Sequence, residues 1–243
     1  MAQEKPVWEI NKETTFASFI QVWDQSFQSK VEEYQRWFFP TFVHHQVYRC
    51  IWDSHEDKTS LQNSLLLHRF IGWRRSLQWC SFSAYSGAYE AIARELRFIL
   101  EDLAQALYID QQLGDSQILA KVKTVSVLED TRLRGTGLIK KLDIDSDTKK
   151  QIKDLYDELC GFVHPSADLV TKGLTQLNYI FMFNERQFKF LMDIYVKTCD
   201  LVLSVVLAKY PEACERFQHF SKSENEEEVA ITELFPLTFS ICD

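Results

Sequence analysis

The chain has 243 residues, of which 46% are hydrophobic, and it contains 18 phenylalanines but only 7 glycines and 5 prolines. A chain of this length can bury a sizeable core, and the scarcity of helix breakers favours helices packed on helices. The net charge of −8 and the pI near 5.3 exclude a general electrostatic attraction to phosphate backbones, so double-stranded DNA is not an expected partner.

The cysteine and hydropathy patterns bear on location. Six cysteines are scattered along the chain without a CxxC pair, which is typical of free thiols in a reducing compartment. The most apolar run, residues 201–208, is far shorter than the roughly 20 residues that span a bilayer. We therefore expect a cytoplasmic protein without membrane association. No strong metal-ligand spacing occurs, and we expect neither a metal nor another cofactor.

The N-terminal part is rich in aromatic residues at helical spacing. Residues 14–39 predict one helix, which we expect Pro40 to end. A second, short helix is predicted over residues 41–52, and the polar residues 53–60 indicate a loop. These helices are expected to form an additional aromatic-rich layer on a main helical bundle.

Residues 83–114 predict the longest helix and a clear apolar seam. Charges lie opposite the seam, where Glu90 with Arg94 and Arg97 with Glu101 are spaced four apart and can pair for roughly 0.2–0.5 kcal/mol each. Such a stripe is most simply a solvated face, and it is also the first place to look for a polar site. The seam itself recurs at steps of three and four through Tyr85, Ala88, Ile92, Leu96, Ile99, Leu103 and Ala106.

Other segments flank this helix. Residues 61–82 predict a preceding helix, with the break between the two near Ser81, Ser83 or Ser86. Residues 116–130 suit a helix or, from their Val and Thr content, a strand. Residues 177–183 are the best candidate for a short strand or an extended aromatic connector. A last long helix is expected from a cap at Asn184 to Tyr210, before Pro211.

Three regions are expected along the chain. The last of them is a tail in which acidic residues 224–228 indicate a solvated loop. The regions are an N-terminal layer over residues 1–58, a main bundle over residues 59–210 and the tail over residues 211–243.

Residues 148–164 predict a helix whose end gathers chemically capable side chains. Asp157, Cys160 and His164 lie on the face away from its leucines, and Cys160 and His164 are one turn apart. That pair could contribute to a metal site or to a His-activated thiolate, but two groups on one helix do not make a site. The simpler interpretation is that His164 ends the helix and hydrogen-bonds its last carbonyls.

The segments SGAYEAIARELRFILE and LYDELCGFVHPS together resemble the HEPN-like helical superfamily, in particular its prokaryotic branches. The resemblance covers about residues 81–210. It implies a bundle of four or five helices with a motif in which an Arg stands a few residues before a His. Members of the superfamily often form homodimers, in which two such motifs meet and cleave RNA. Here His164 matches the His, whereas the positions for the Arg hold Asp157, Glu158 and Leu159.

This departure argues against catalysis in the form that the family uses. Without an arginine beside His164, the charge that develops on a phosphorane has no local counter-ion, and the nearby carboxylates oppose it. We therefore expect a non-catalytic binding or interaction module, for which the resemblance implies nucleotide, RNA or protein partners and a regulatory role in stress or phage defence. The candidate ligand-binding residues are Glu90, Glu101, Asp157 and Cys160.

Two alternatives stay open. In the first, the protein is a metal-independent ribonuclease in which Arg94 or Arg97 of the central helix supplies the cation that His164 needs. In the second, the protein is a structural homodimer, which requires an exposed apolar patch around Phe98 and Ala91.

Overall fold

The computed structural model describes residues 17, 20, 21, 24, 34–129, 136–163, 185–222 and 233–242. Those residues form ten α-helices and no strand, which confirms the prediction of an all-α helical bundle. In chain order the helices are α1 (Tyr34–Ser54), α2 (Lys58–Asn63), α3 (Leu65–Tyr85), α4 (Tyr89–Leu113), α5 (Ile118–Glu129), α6 (Thr136–Ile139), α7 (Ser146–Val163), α8 (Glu185–Lys209), α9 (Cys214–Lys222) and α10 (Pro236–Cys242), with a 3₁₀ turn (Pro211–Ala213) before α9.

Several predictions fall outside the described residues. These are the strand over residues 177–183, the acidic loop over residues 224–228 and the side chain of His164. Of the predicted helix over residues 14–39, the described positions 17, 20, 21 and 24 are helical.

Helices α3 and α4 form an antiparallel hairpin. The backbone N–H of Leu65, at the start of α3, donates to Asp110 near the end of α4 (3.0 Å), and Trp73 Nε1 donates to Asp102 further back (2.7 Å). The central helix therefore begins at Tyr89 and not at residue 83, because α3 continues through Tyr85. Gly87 makes the turn with a φ of 71°, a backbone conformation that favours glycine.

Helix α7 packs on α4, also antiparallel. Gln111, late in α4, hydrogen-bonds the backbone of Asp143 just before α7, whereas Glu101 in the middle of α4 accepts from Tyr156 in the middle of α7. Residues 118–129 are a helix, which decides between the two interpretations of that segment. The predicted seam of α4 is buried, including Ile92, Leu96, Ile99, Leu103 and Ala106.

The prediction that Pro40 ends a helix is wrong, because Pro40 lies inside α1 and the expected helix over residues 41–52 is its continuation. A proline removes one backbone donor and crowds the preceding turn. In that turn the carbonyl of Trp37 accepts hydrogen bonds from Ser81 Oγ of α3 (3.0 Å) and Tyr195 Oη of α8 (3.3 Å). Trp37 also stacks on Tyr195, with ring centroids 4.9 Å apart. These tertiary contacts hold α1 against α3 and α8 in the turn that precedes Pro40.

A buried carboxylate of α8 holds the C-terminal helix α10. Asp200 accepts hydrogen bonds from the backbone N–H groups of Leu237 (3.0 Å) and Thr238 (2.8 Å), and from Thr238 Oγ1 (2.7 Å). Those N–H groups belong to the first turn of α10, where no intrahelical acceptor exists. A continuous cluster of buried apolar side chains extends from Trp37 in α1 to Phe235 beside α10. The division into three regions stays a prediction.

Candidate functional site

The structure brings several of the predicted site residues together where α4 meets α7. Tyr156 Oη donates to Glu101 Oε1 (2.7 Å), and Arg97 Nε lies 3.6 Å from the same oxygen. Tyr156 also shares a hydrogen bond with Cys160, one turn along α7. We call Arg97, Glu101, Tyr156 and Cys160 the α4–α7 cluster. Tyr156 is its one member that the sequence patterns did not single out.

Charge and protonation in the α4–α7 cluster are balanced. The guanidinium of Arg97 faces the carboxylate of Glu101, with Arg97 Nε 3.6 Å from Glu101 Oε1, so the two opposite charges lie side by side. Burial, followed by the hydrogen bond to Glu101, raises the pKa of Tyr156 above its ordinary value, so its hydroxyl stays protonated at neutral pH. The cluster can accept and donate hydrogen bonds, and its cation and its carboxylate face each other.

The other predicted residues lie in separate surface pairs. Arg94 Nη2 pairs with Glu90 at 3.4 Å, and both side chains are exposed. Asp157 pairs with Lys153 at 2.5 Å on the outer face of α7. An exposed pair of this kind contributes little to stability. Because His164 lies outside the described residues, no distance to Arg94 or Arg97 follows from the structure.

A second site, which the sequence patterns did not indicate, is a groove beside the C-terminal end of α8. Its cavity volume is about 320 Å³, which lies in the range of small-molecule sites. Four parts of the fold build it: the end of α4, the segment that leads into α7, the end of α8 and the tip of α10. We call it the α8 groove. Its lining consists of Leu107, Gln111, Asp143, Ile144, Asp145, Thr148, Ser204, Val205, Ala208, Lys209 and Ile241.

Local hydrogen bonds fix one wall of the α8 groove. Gln111 Nε2 donates to the carbonyl of Asp143, and the N–H of Asp143 donates back to Gln111 Oε1, both at 3.0 Å. Asp145 accepts the backbone N–H of Thr148 at 2.8 Å and so caps α7. Hydrogen bonds with Thr148 lower the pKa of Asp145, which is therefore ionised at neutral pH.

The rim of the α8 groove carries charges without an internal partner. Within the described ranges, neither the Asp143 carboxylate nor the Lys209 ammonium forms an ion pair. Both residues are exposed, and Lys209 is the last residue of α8. The floor between them is apolar and includes Leu107 and Val205, which are buried. The arrangement is an apolar trough with ionic groups of both signs at its edge.

Phe98 and Ala91 lie on the surface of α4. Phe98 is 50% exposed and Ala91 is half-buried. Phe98 is thus exposed, as the dimer hypothesis requires. Self-association stays a prediction.

The described part of the chain contains neither a metal-binding cluster nor a helix suited to cross a membrane. No group of three or more His, Cys, Asp and Glu side chains there could hold a metal ion. No helix built from those residues has the length and apolar character that crossing a membrane requires. All six cysteines are free thiols, and four of them are buried.

Comparison of the sequence with protein-family models, with curated proteins and with solved structures finds no match. No known family, protein or structure therefore supplies a ligand for the groove or a role for the cluster.

Proposed function

We propose that this protein is a non-catalytic helical module that binds a small ligand in the α8 groove. The observation that supports the proposal is the groove itself, a volume of about 320 Å³ with an apolar floor and unpaired charges at its rim. Ligand sites in proteins typically combine a mostly apolar concavity with a few polar groups that orient the ligand.

The absence of catalysis in the proposal rests on the arginines that the ribonuclease alternative needs. Arg94 faces Glu90, and Arg97 faces Glu101, which also accepts from Tyr156. A catalytic cation has to meet the charge that develops on the substrate, and a carboxylate already beside it competes for that role. The pairing therefore favours a structural role for both arginines.

The HEPN-like assignment belongs to the same proposal. Its support is the antiparallel packing of α4 on α7, which joins the two segments that carry the resemblance in one bundle. A homodimer through the face of Phe98, a cytoplasmic location and a regulatory role in stress or defence are its further parts. Free cysteines throughout the chain support the reducing compartment.

The test is to fill the groove. Ala208 is exposed and lines the α8 groove, so Ala208→Phe places a ring in the cavity without disturbing the core. Ala120→Phe, at an exposed position of α5 outside the groove, is the matched control. We expect small metabolites that raise the melting temperature of the wild type to act equally on Ala120→Phe and to lose their effect on Ala208→Phe.

Two outcomes would contradict the proposal. If a panel of amino acids, nucleotides, sugars and organic acids leaves the wild-type melting temperature unchanged at millimolar concentration, the groove is not a small-ligand site. If the purified protein cleaves single-stranded RNA and His164→Ala abolishes the cleavage, the ribonuclease alternative is correct.

A further inference from the structure

We infer that the α8 groove takes a small zwitterion with an apolar side chain, of the class of the aliphatic α-amino acids, with its ammonium at Asp143 and its carboxylate at Lys209. The inference rests on the proposed function, because it names the class of ligand for the same site. Some polar groups of the lining already form hydrogen bonds within the protein, and the others are free to bind a ligand. The inference follows from this difference.

The charged groups of the lining divide into engaged and available ones. Asp145 accepts the N–H of Thr148 as the cap of α7, so one of its oxygens is taken. Asp143 is held only through its backbone by Gln111, which leaves its carboxylate to accept from a ligand. Lys209 is the one basic side chain in the lining. One available carboxylate and one available ammonium match a ligand that carries both opposite charges.

The polar groups between these charges face other protein atoms. Ser204 Oγ donates to the carbonyl of Leu201 at 2.8 Å, and the amide of Gln111 is occupied by the backbone of Asp143. What remains along the floor is hydrocarbon, chiefly Leu107 and Val205. An apolar ligand body gains roughly 25 cal/mol for each Å² that it buries there, whereas a sugar would lose hydrogen bonds to water.

The same lining disfavours a nucleotide. No aromatic side chain is among the residues that line the groove, so a base has no ring on which to stack. Two carboxylates, Asp143 and Asp145, stand against one ammonium, Lys209, and a phosphate would meet net repulsion. The groove therefore favours an amphipathic zwitterion over a nucleotide.

The experiment measures the affinity of the full-length protein for leucine by isothermal titration calorimetry. N-acetyl-leucine lacks the ammonium, leucinamide lacks the carboxylate, and glycine lacks the apolar side chain. Loss of a charge-assisted contact should weaken N-acetyl-leucine and leucinamide at least about tenfold relative to leucine. Loss of the buried apolar side chain, worth about 1.5–3 kcal/mol, should weaken glycine by at least about the same factor.

Variants then assign each end of the ligand. Asp143→Asn is expected to weaken leucine about tenfold and to leave N-acetyl-leucine unchanged, whereas Lys209→Met is expected to weaken leucine and spare leucinamide. Asp115→Asn and Lys123→Met remove exposed charges outside the groove and serve as controls. All four positions are exposed, so circular dichroism should show the same fold for each variant.

The outcomes separate this inference from the proposed function. If leucine and its analogues bind equally, or if another metabolite binds the groove and leucine does not, a zwitterion is the wrong ligand class. The groove remains a ligand site in that case. If nothing in the metabolite panel binds the wild type, both fail. Equal loss of leucine affinity in Asp143→Asn and in Asp115→Asn would contradict the assignment of the ammonium.

Discussion

Asp110 carries the most demanding prediction for the fold. This residue of α4 is only 7% exposed, and its carboxylate accepts hydrogen bonds from Ser64 Oγ and from the N–H groups of Leu65 and Leu66, each at 3.0 Å. Lys121 of α5, 2% exposed, completes the set with its ammonium at 2.8 Å. One carboxylate thus caps α3 and neutralises a buried cation.

Replacing Asp110 by Asn removes the charge and one acceptor but keeps the shape. The Lys121 ammonium then stays buried without its counter-ion, and at least one donor at the start of α3 faces an amide NH₂ group. Removing one partner of a buried ion pair costs about 3–5 kcal/mol, which we expect for Asp110→Asn. Lys121→Met leaves the three other donors in place, and we expect about 1–3 kcal/mol.

These free energies are measured by urea unfolding, monitored by far-ultraviolet circular dichroism. Asp115→Asn, at an exposed position, is the control, and its stability is expected within about 0.5 kcal/mol of the wild type. The double variant Asp110→Asn/Lys121→Met should cost less than the sum of the single variants, because it leaves no unpaired buried charge. A cost below about 1 kcal/mol for Asp110→Asn, or strict additivity, would refute the reasoning.

Four further variants test the core and its titrating groups. His44 is buried, and its pKa is lowered to about 4, chiefly by desolvation. The free energy of unfolding should therefore fall by roughly 3 kcal/mol as the pH drops from 6.5 to about 4. In urea titrations, His44→Gln should make the free energy of unfolding less dependent on pH in that range. Burial raises the pKa of Asp102 above 3.8, so the folded state holds this proton more readily than the unfolded state. The stability of the wild type relative to Asp102→Asn should therefore decrease as the pH rises through the pKa of the folded state. An increase would contradict the assignment. Leu96→Ala should cost about 2–5 kcal/mol because Leu96 is fully buried, whereas Phe98→Ala, at a residue 50% exposed, should cost much less; similar midpoints for the two would be inconsistent with the placement of α4.

The regular features of the fold were predictable because they are local. The seam through Ile92, Leu96 and Ile99 follows the 3.6-residue period of a helix, and the structure buries it. Pro40 misled the prediction because a local rule ends a helix there, whereas the contacts that hold α1 in that region, from Ser81 and Tyr195, come from distant parts of the chain.

The buried carboxylates could have been predicted from their positions in the sequence. Asp102 and Asp110 fall in register with Ile99 and Ala106 at steps of three and four, so they interrupt an apolar face. Asp200 likewise lies in an otherwise apolar run. A charge in such a position predicts a buried partner, although its identity depends on the tertiary fold.

The α8 groove left no comparable signal. Its lining joins residues near 107, 145, 205 and 241, which no spacing in the sequence relates. The site exists only because α7, α8 and α10 pack around the end of α4. The α4–α7 cluster is intermediate, since the charge pattern located Arg97 and Glu101, whereas Tyr156 required the packing of α7.

The most direct test of a ligand site in the α8 groove is the affinity of one ligand, leucine, for three proteins. The wild type and Ala120→Phe should bind leucine with the same affinity, and Ala208→Phe, with its ring in the cavity, should show no measurable binding. Undiminished binding to Ala208→Phe would place the ligand elsewhere and contradict the account.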